Sequence, residues 1–94
     1  METRSPAMRI PAHVVYRGFG TETVVLNLST GTYHGLNPTG GRMLEVLAEA
    51  PSLESAAQTV AAEYGIPADT VLGDMRELCD GLVERGLLEP APTS

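Results

Sequence analysis

Histidine and cysteine are the side chains of this sequence best suited to catalysis, and they occur at His13, His34 and Cys79. Neither histidine lies in the Cys-x-x-Cys, His-Glu-x-x-His or paired-carboxylate context that metal-dependent and acid–base sites usually require. Cys79 lies among apolar residues with helical spacing, where a free cysteine is commonly a small buried hydrophobic side chain. The sequence therefore predicts no catalytic residue, no metal site and no enzymatic activity.

The glycine-rich and acidic segments do not match phosphate-binding or calcium-binding motifs. The fragments Gly18-Phe19-Gly20 and Gly40-Gly41 lack the GxxxxGK[ST] and GxGxxG patterns of phosphate-binding loops. The acidic residues near the C-terminal end lack the spacing of a calcium loop. Turn formation and a solvated helix face explain both features, so no cofactor is predicted.

Length, composition and charge describe one small acidic domain. The chain has 94 residues, of which 43 % are hydrophobic, and its twelve acidic residues against six arginines give a net charge of −6. Such a surface repels nucleic acids and anionic membranes. One cysteine excludes an internal disulfide, and no apolar run has the length of a signal peptide or membrane span. We expect a single cytoplasmic domain over residues 1–94, ordered from about 10 to 89.

The first half of the chain has the period of two that is typical of strands. Short β-like runs at 13–17, 23–28 and 32–36 are separated by turn residues. In the second run, Val24, Leu26 and Leu28 share one face. Three strands joined by tight turns predict an antiparallel meander.

The second half has the period of 3.6 that is typical of helices. Helices are predicted over 38–50, 53–64 and 67–85, with Asn37 and Ser52 as caps of the first two. The class predicted is α+β and winged helix-turn-helix-like, a three-stranded antiparallel sheet followed by three helices.

The apolar positions of the third helix cover an arc of about 140°. One stripe contains Val71, Met75, Leu78 and Leu82, and a second stripe beside it contains Leu72, Cys79 and Val83. An arc this broad predicts contact with the other helices on one flank and with something else on the other. The chain from Pro90 onward is expected to be a frayed tail.

DNA binding is the function that a winged-helix outline first suggests. The third helix would have to meet phosphates, yet it carries five acidic residues against Arg76 and Arg85, a local balance of −3. Phosphate neutralisation supplies most non-specific affinity for DNA, so nucleic acid is not the expected partner.

The third predicted strand is an edge of the meander, with unpaired backbone groups along one side. Residues 32–35 place no proline and no charged side chain on it. Such an edge is either covered, by the third helix or a second copy, or used by a guest peptide that adds a strand.

The segment Gly31-Thr32-Tyr33-His34-Gly35-Leu36-Asn37-Pro38-Thr39-Gly40 resembles the "G-x-Y-x-x-L-N-x-x-G" stretch of the PqqD-like family. The ending from Asp74 to Leu88 is similar to the family's "D-V-x-x-L-L-x-x-L-x-x-x-G-L-L". Cys79 departs from the large aliphatic residue usual in the family. These proteins are precursor-peptide recognition elements in the biosynthesis of ribosomally made, modified peptides. The stretch Leu36–Gly40 most resembles the stand-alone recognition subunit of lasso peptide systems.

This resemblance implies a non-catalytic adaptor that binds the leader segment of a precursor as a fourth antiparallel strand. It implies backbone pairing by Thr32, Tyr33, His34, Gly35 and Leu36, a pocket wall of Val71, Met75 and Leu78, and Asp74 at the pocket rim. The partners implied are a cysteine protease that removes the leader and an ATP-dependent cyclase. A chaperone for a radical-SAM enzyme is the nearest alternative, and a winged-helix DNA-binding regulator a more distant one.

Overall fold

The computed structural model describes residues 7–91 as five strands and three helices. In chain order, the elements are β1 Met8–Arg9, β2 Val14–Phe19, β3 Glu22–Asn27, β4 Tyr33–Leu36, α1 Pro38–Glu49, α2 Leu53–Tyr64, α3 Ala68–Glu84 and β5 Glu89–Pro90. The predicted α+β fold, a three-stranded antiparallel sheet followed by three helices, is confirmed.

The main sheet has the order β2-β3-β4, and its two faces differ in what covers them. Val25 and Leu36 point to the core and are buried, whereas Val15, Phe19 and Tyr33 point away from it and are exposed. Val24 and Leu26, which the period of two placed together, lie half-buried on this outer face. Leu28 lies beyond the end of β3 and is exposed, because Asn27 begins the turn.

Side-chain caps start the first two helices where the sequence predicts them. The Asn37 Oδ1 atom accepts a hydrogen bond from the Gly40 amide at 2.7 Å, and the Ser52 Oγ atom accepts one from the Ser55 amide at 3.1 Å. Gly65 ends α2 with a φ of 67°, a left-handed conformation that glycine adopts without steric cost. The tight turn that follows packs α3 against α2.

A close approach between α1 and the sheet fixes the position of the first helix. The Gly41 Cα faces the Thr23 side chain of β3, so closely that a Cβ at this position would overlap the threonine hydroxyl. Leu44 and Leu47 of the same helix are fully buried. They join the core that also contains Met75 and Leu82 of α3.

A second, two-stranded sheet joins the two ends of the described chain. Strand β1 pairs antiparallel with β5, matching Met8 with Pro90 and Arg9 with Glu89. The Arg9 and Glu89 side chains form an ion pair across it. The sequence did not predict this sheet, and Pro90, expected in a frayed tail, is one of its residues; residues 92–94 of that tail lie outside the described part.

Residues 7–91 contain no helix long and apolar enough to cross a membrane.

Candidate functional site

Strand β4 is one of the two edge strands of the main sheet. Its residues Tyr33–Leu36 pair with Leu26–Thr23 of β3 on one side. Within residues 7–91, no strand pairs with its other side. Backbone N–H and C=O groups along a free edge can pair with another extended segment.

An open depression lies at the C-terminal end of β4. Its volume is about 360 Å³. It is lined by residues of β4, of the start of α1 and of the middle of α3: Gly35, Leu36, Asn37, Thr39, Gly40, Met43, Asp74, Glu77 and Leu78. Apolar side chains from three elements therefore meet beside the free edge, with two carboxylates at the rim.

A second depression lies at the N-terminal end of β4. Its volume is about 380 Å³. Its lining residues come from the turn before β4, from its first residue and from the end of α3: Thr30, Thr32, Tyr33, Arg85 and Leu87. The N-terminal end of β4 thus lies near the C-terminal end of α3, and the two elements run in opposite directions.

One stripe of α3 connects the two depressions. Leu78, Gly81 and Arg85 follow Asp74 at helical spacing, so these four residues lie on the same side of the helix. Gly81 has no side chain to fill the space between the ends. We call the two depressions and this stripe together the edge groove.

The turn into β4 is held by Asn27, which is buried. Its Oδ1 atom accepts hydrogen bonds from the amides of Ser29 and Thr30, at 2.9 and 3.2 Å. Its backbone carbonyl accepts one from the Gly31 amide at 2.8 Å. This side chain therefore shapes the N-terminal end of the edge groove, a role that the sequence analysis did not assign.

The structure brings together four of the predicted site residues at the first depression, namely Gly35, Leu36, Asp74 and Leu78. Thr32 and Tyr33 line the second depression. His34 pairs with Val25 and is half-buried on the core side of β4.

Val71 and Met75, predicted for the pocket wall, lie deeper than the groove. Their side chains are 2 % and 0 % exposed and belong to the hydrophobic core. Leu78, one helical turn beyond Met75, is half-buried and reaches the groove surface. The apolar arc of α3 thus divides into a core side and a groove side.

Several lining residues were missed from the sequence. Met43, Thr39 and Gly40 come from the first turns of α1, which reach the groove only because Asn37 caps the helix directly after β4. Glu77 and Arg85 could have been found by extending the α3 stripe from Asp74 at helical spacing. Leu87 lies beyond the helix and carried no such signal.

Cys79 belongs to the hydrophobic core and lines neither depression. Burial, with a smaller contribution from the charge of Asp80, raises the pKa of the Cys79 thiol to about 11, so this thiol is protonated at neutral pH. Within residues 7–91, no group of three or more His, Cys, Asp or Glu side chains could hold a metal ion.

The outer face of the main sheet carries a further depression, which shares only Tyr33 with the edge groove. Its volume is about 670 Å³, and its lining is mostly apolar: Val15, Tyr16, Arg17, Phe19, Val24, Leu26 and Tyr33. Phe19 and Tyr33 are 61 % and 73 % exposed. We call these residues the outer-face patch.

An antiparallel three-stranded sheet followed by three helices, with a free edge beside α3, defines the architecture. Residues 22–88 match the family described as "Coenzyme PQQ synthesis protein D (PqqD)". The chain belongs to this family, and the resemblance predicted from its motifs is confirmed.

Two solved structures share the fold. The structure of TbiB1 in complex with the TbiA(beta) leader peptide is 34 % identical in sequence, with a TM-score of 0.78 over 90 % of this chain and 99 % of that one. The structure of lasso peptide synthetase B1 complexed with the leader peptide is 24 % identical, with a TM-score of 0.79 over 89 % and 99 %. No curated protein matches the chain.

Proposed function

We propose that this domain binds the leader segment of a ribosomally made precursor by adding it to β4 as an antiparallel strand. The observation that carries the proposal is the free edge of Tyr33–Leu36 alongside an apolar depression. Backbone hydrogen bonds provide affinity in strand addition, and side-chain pockets provide specificity. The structure of TbiB1, which is 34 % identical to this chain, holds a leader peptide, and this supports a leader segment as the ligand.

The predicted site residues take different roles in this proposal. Residues 32–36 supply the backbone pairing, the side chain of Leu78 forms part of the groove surface, and Asp74 lies at the rim. Leu36 is buried and lines the floor of the depression. Val71 and Met75 support the groove from beneath, because both are buried. Cys79 is also buried and contributes to the packing of α3.

The proposed role is that of a non-catalytic adaptor in the cytoplasm, where precursors are made. It would present the bound leader to a cysteine protease that removes it and to an ATP-dependent cyclase. A protonated, buried Cys79 supports the absence of a nucleophile. The purified domain alone should leave a precursor uncleaved and uncyclised.

The charge of α3 favours a peptide over nucleic acid as ligand. Asp69, Asp74, Glu77, Asp80 and Glu84 are all exposed. Arg76, one of the two arginines at this helix, is already paired with Glu54 of α2. A helix with this balance would repel the phosphates that supply most DNA affinity.

The test is a titration of fluorescein-labelled leader peptides, measured by fluorescence anisotropy. The probes are the TbiA(beta) leader peptide and the leader of a precursor encoded beside the gene of this chain. Saturable binding is expected, and a scrambled peptide should not bind. Failure of both leaders to bind would contradict the proposal.

Two glycine variants locate the binding site on α3. Gly81→Leu places a side chain over the middle of the edge groove and should weaken binding at least tenfold. Gly73→Leu makes the same change in the same helix, off the stripe and facing open space, and should leave affinity unchanged. Both replace a mid-helix glycine, so both should keep or raise stability. Equal affinities of the two variants would exclude the edge groove as the site.

A further inference from the structure

The two ends of the edge groove carry opposite charge. Asp74 and Glu77 lie at the depression beside the C-terminal end of β4, and Arg85 lies at the other depression. The Arg85 guanidinium donates a hydrogen bond to the Gly81 carbonyl at 3.3 Å, along its own helix. Within the part of the chain that the structure describes, these three side chains form no ion pair.

Other charged side chains near the groove are neutralised or point elsewhere. Arg42 of α1 is paired with Glu63 and Glu45. Asp80 and Glu84, the acidic residues nearest to Arg85 on α3, line neither depression. The charge along the groove is therefore negative at one end and positive at the other.

The directions of β4 and α3 determine which end of a guest peptide lies beside which charge. Strand β4 runs opposite to α3, so a guest strand antiparallel to β4 runs parallel to α3. Its N-terminal part lies beside Asp74 and Glu77, and its C-terminal part lies beside Arg85. These ends are separated by 11 residues of helix, about 16 Å, which an extended strand covers in about five residues.

We propose that the edge groove selects leader peptides with a basic residue followed, about five residues later, by an acidic one. This inference rests on the proposed strand addition. Backbone hydrogen bonding alone distinguishes poorly between a guest strand that runs antiparallel to β4 and one that runs parallel to it. The paired charges favour the antiparallel orientation. Asp74, Glu77 and Arg85 are then specificity-determining residues.

The expected difference in affinity follows from the strength of exposed ion pairs. Each such pair changes affinity by about two- to fivefold, so a peptide with both charges matched should bind roughly tenfold more tightly than one with both reversed. The preference should shrink as salt rises from 20 to 500 mM, because exposed charges are screened.

The experiment uses a 15-residue leader peptide with its own charges replaced by glutamine. One series carries lysine at a scanned position and glutamate five residues later, and a second series exchanges the two. The wild-type domain should prefer lysine-first peptides at one register. The triple variant Asp74→Arg, Glu77→Arg, Arg85→Glu should prefer glutamate-first peptides at that register.

A control variant distinguishes the effect of where charges lie along the groove from the effect of net charge. Asp80→Arg also adds positive charge to α3, but about 120° around the helix from Asp74 and at a residue that lines neither depression, and it should keep the wild-type preference. Equal binding of the two series at every register would overturn the charge proposal while leaving strand addition intact. Binding of neither series, nor of the unmodified leader, would instead contradict strand addition itself.

Discussion

Cys79 shows how the position of one side chain determines its chemistry. The thiol is 5 % exposed on the core side of α3, and its pKa is raised to about 11. An ordinary thiol titrates near 8.5, so the unfolded chain loses this proton at lower pH than the folded one. The thiol therefore supports folding fully below about pH 8.5, and its contribution falls as pH rises towards 11.

We expect the unfolding free energy of the wild type to fall by up to about 2–3 kcal/mol more than that of Cys79→Ala between pH 8 and 11. Urea unfolding followed by circular dichroism across this range measures the difference. An equal fall in unfolding free energy for the wild type and Cys79→Ala would show that the thiol is not shielded from water in the folded state.

Met75 and Leu78 are neighbours on α3 with different predicted effects. Met75 is fully buried, so Met75→Ala should lower the unfolding free energy by about 2–5 kcal/mol, through lost packing and a cavity. Leu78 is half-buried at the groove, so Leu78→Ala should mainly weaken leader binding, by about 1–2 kcal/mol.

Urea unfolding and anisotropy titration on both variants separate these effects. The titration of Met75→Ala is made without urea, at a temperature at which circular dichroism shows a folded domain. A Leu78→Ala domain with unchanged affinity and a large loss of stability would place Leu78 in the core.

At the scale of elements, Gly41 joins α1 to the main sheet. A Cβ at Gly41 overlaps the Thr23 hydroxyl, which has no long flexible stem that could move away. Gly41→Ala should therefore cost about 1–3 kcal/mol of stability despite the better helix propensity of alanine. Urea unfolding provides the measurement.

The double variant Thr23→Ala, Gly41→Ala should recover part of the loss, because the hydroxyl is gone. Gly73→Ala, in open space on α3, is the matched control and should raise stability by up to about 1 kcal/mol. A stabilised Gly41→Ala domain would mean that α1 can move freely relative to β3.

Regular elements were predictable because each of them leaves a repeated pattern. The three strands and three helices follow from the periods of two and 3.6, and Asn37 and Ser52 cap where their types suggest. Strands β1 and β5 have two residues each and no period, and their pairing joins residues more than 75 apart. Only the folded chain reveals them.

The candidate site was predictable in part for a similar reason. Periodicity identifies the apolar arc of α3, but it cannot say which edge of that arc the other helices cover. In the folded chain Val71 and Met75 are buried in the core, and Leu78 alone of the three reaches the groove. Arg85 belongs to the same stripe, yet its importance depends on β4 running opposite to α3.

At the scale of the whole molecule, net charge opposes association through the outer-face patch. Exposed apolar sheet faces and free edges promote aggregation, and like charges keep molecules apart. The charge of −6 at pH 7 vanishes near the isoelectric point of about 4.7. We expect light scattering to rise as pH approaches that value.

Phe19→Ser should reduce this scattering because it removes a large exposed ring from the patch. Leu28→Ser is the matched control, since Leu28 is equally exposed, at 59 %, but lies in the turn outside the patch. Leader affinity should be unchanged in both. Equal scattering by the two variants would mean that the patch does not drive association.

The small β1–β5 sheet also determines how this domain can be combined with other chains. The Ala91 amide donates a hydrogen bond to the Ala7 carbonyl at 2.7 Å, so the polypeptide enters and leaves the fold at one place. That place is formed by β1 and β5, whereas the edge groove is formed by β4, α1 and α3. A domain with adjoining entry and exit points can be inserted into a surface loop of a host enzyme with two short linkers. Its peptide site would then remain open, and the host's active site would share one polypeptide with the captured substrate.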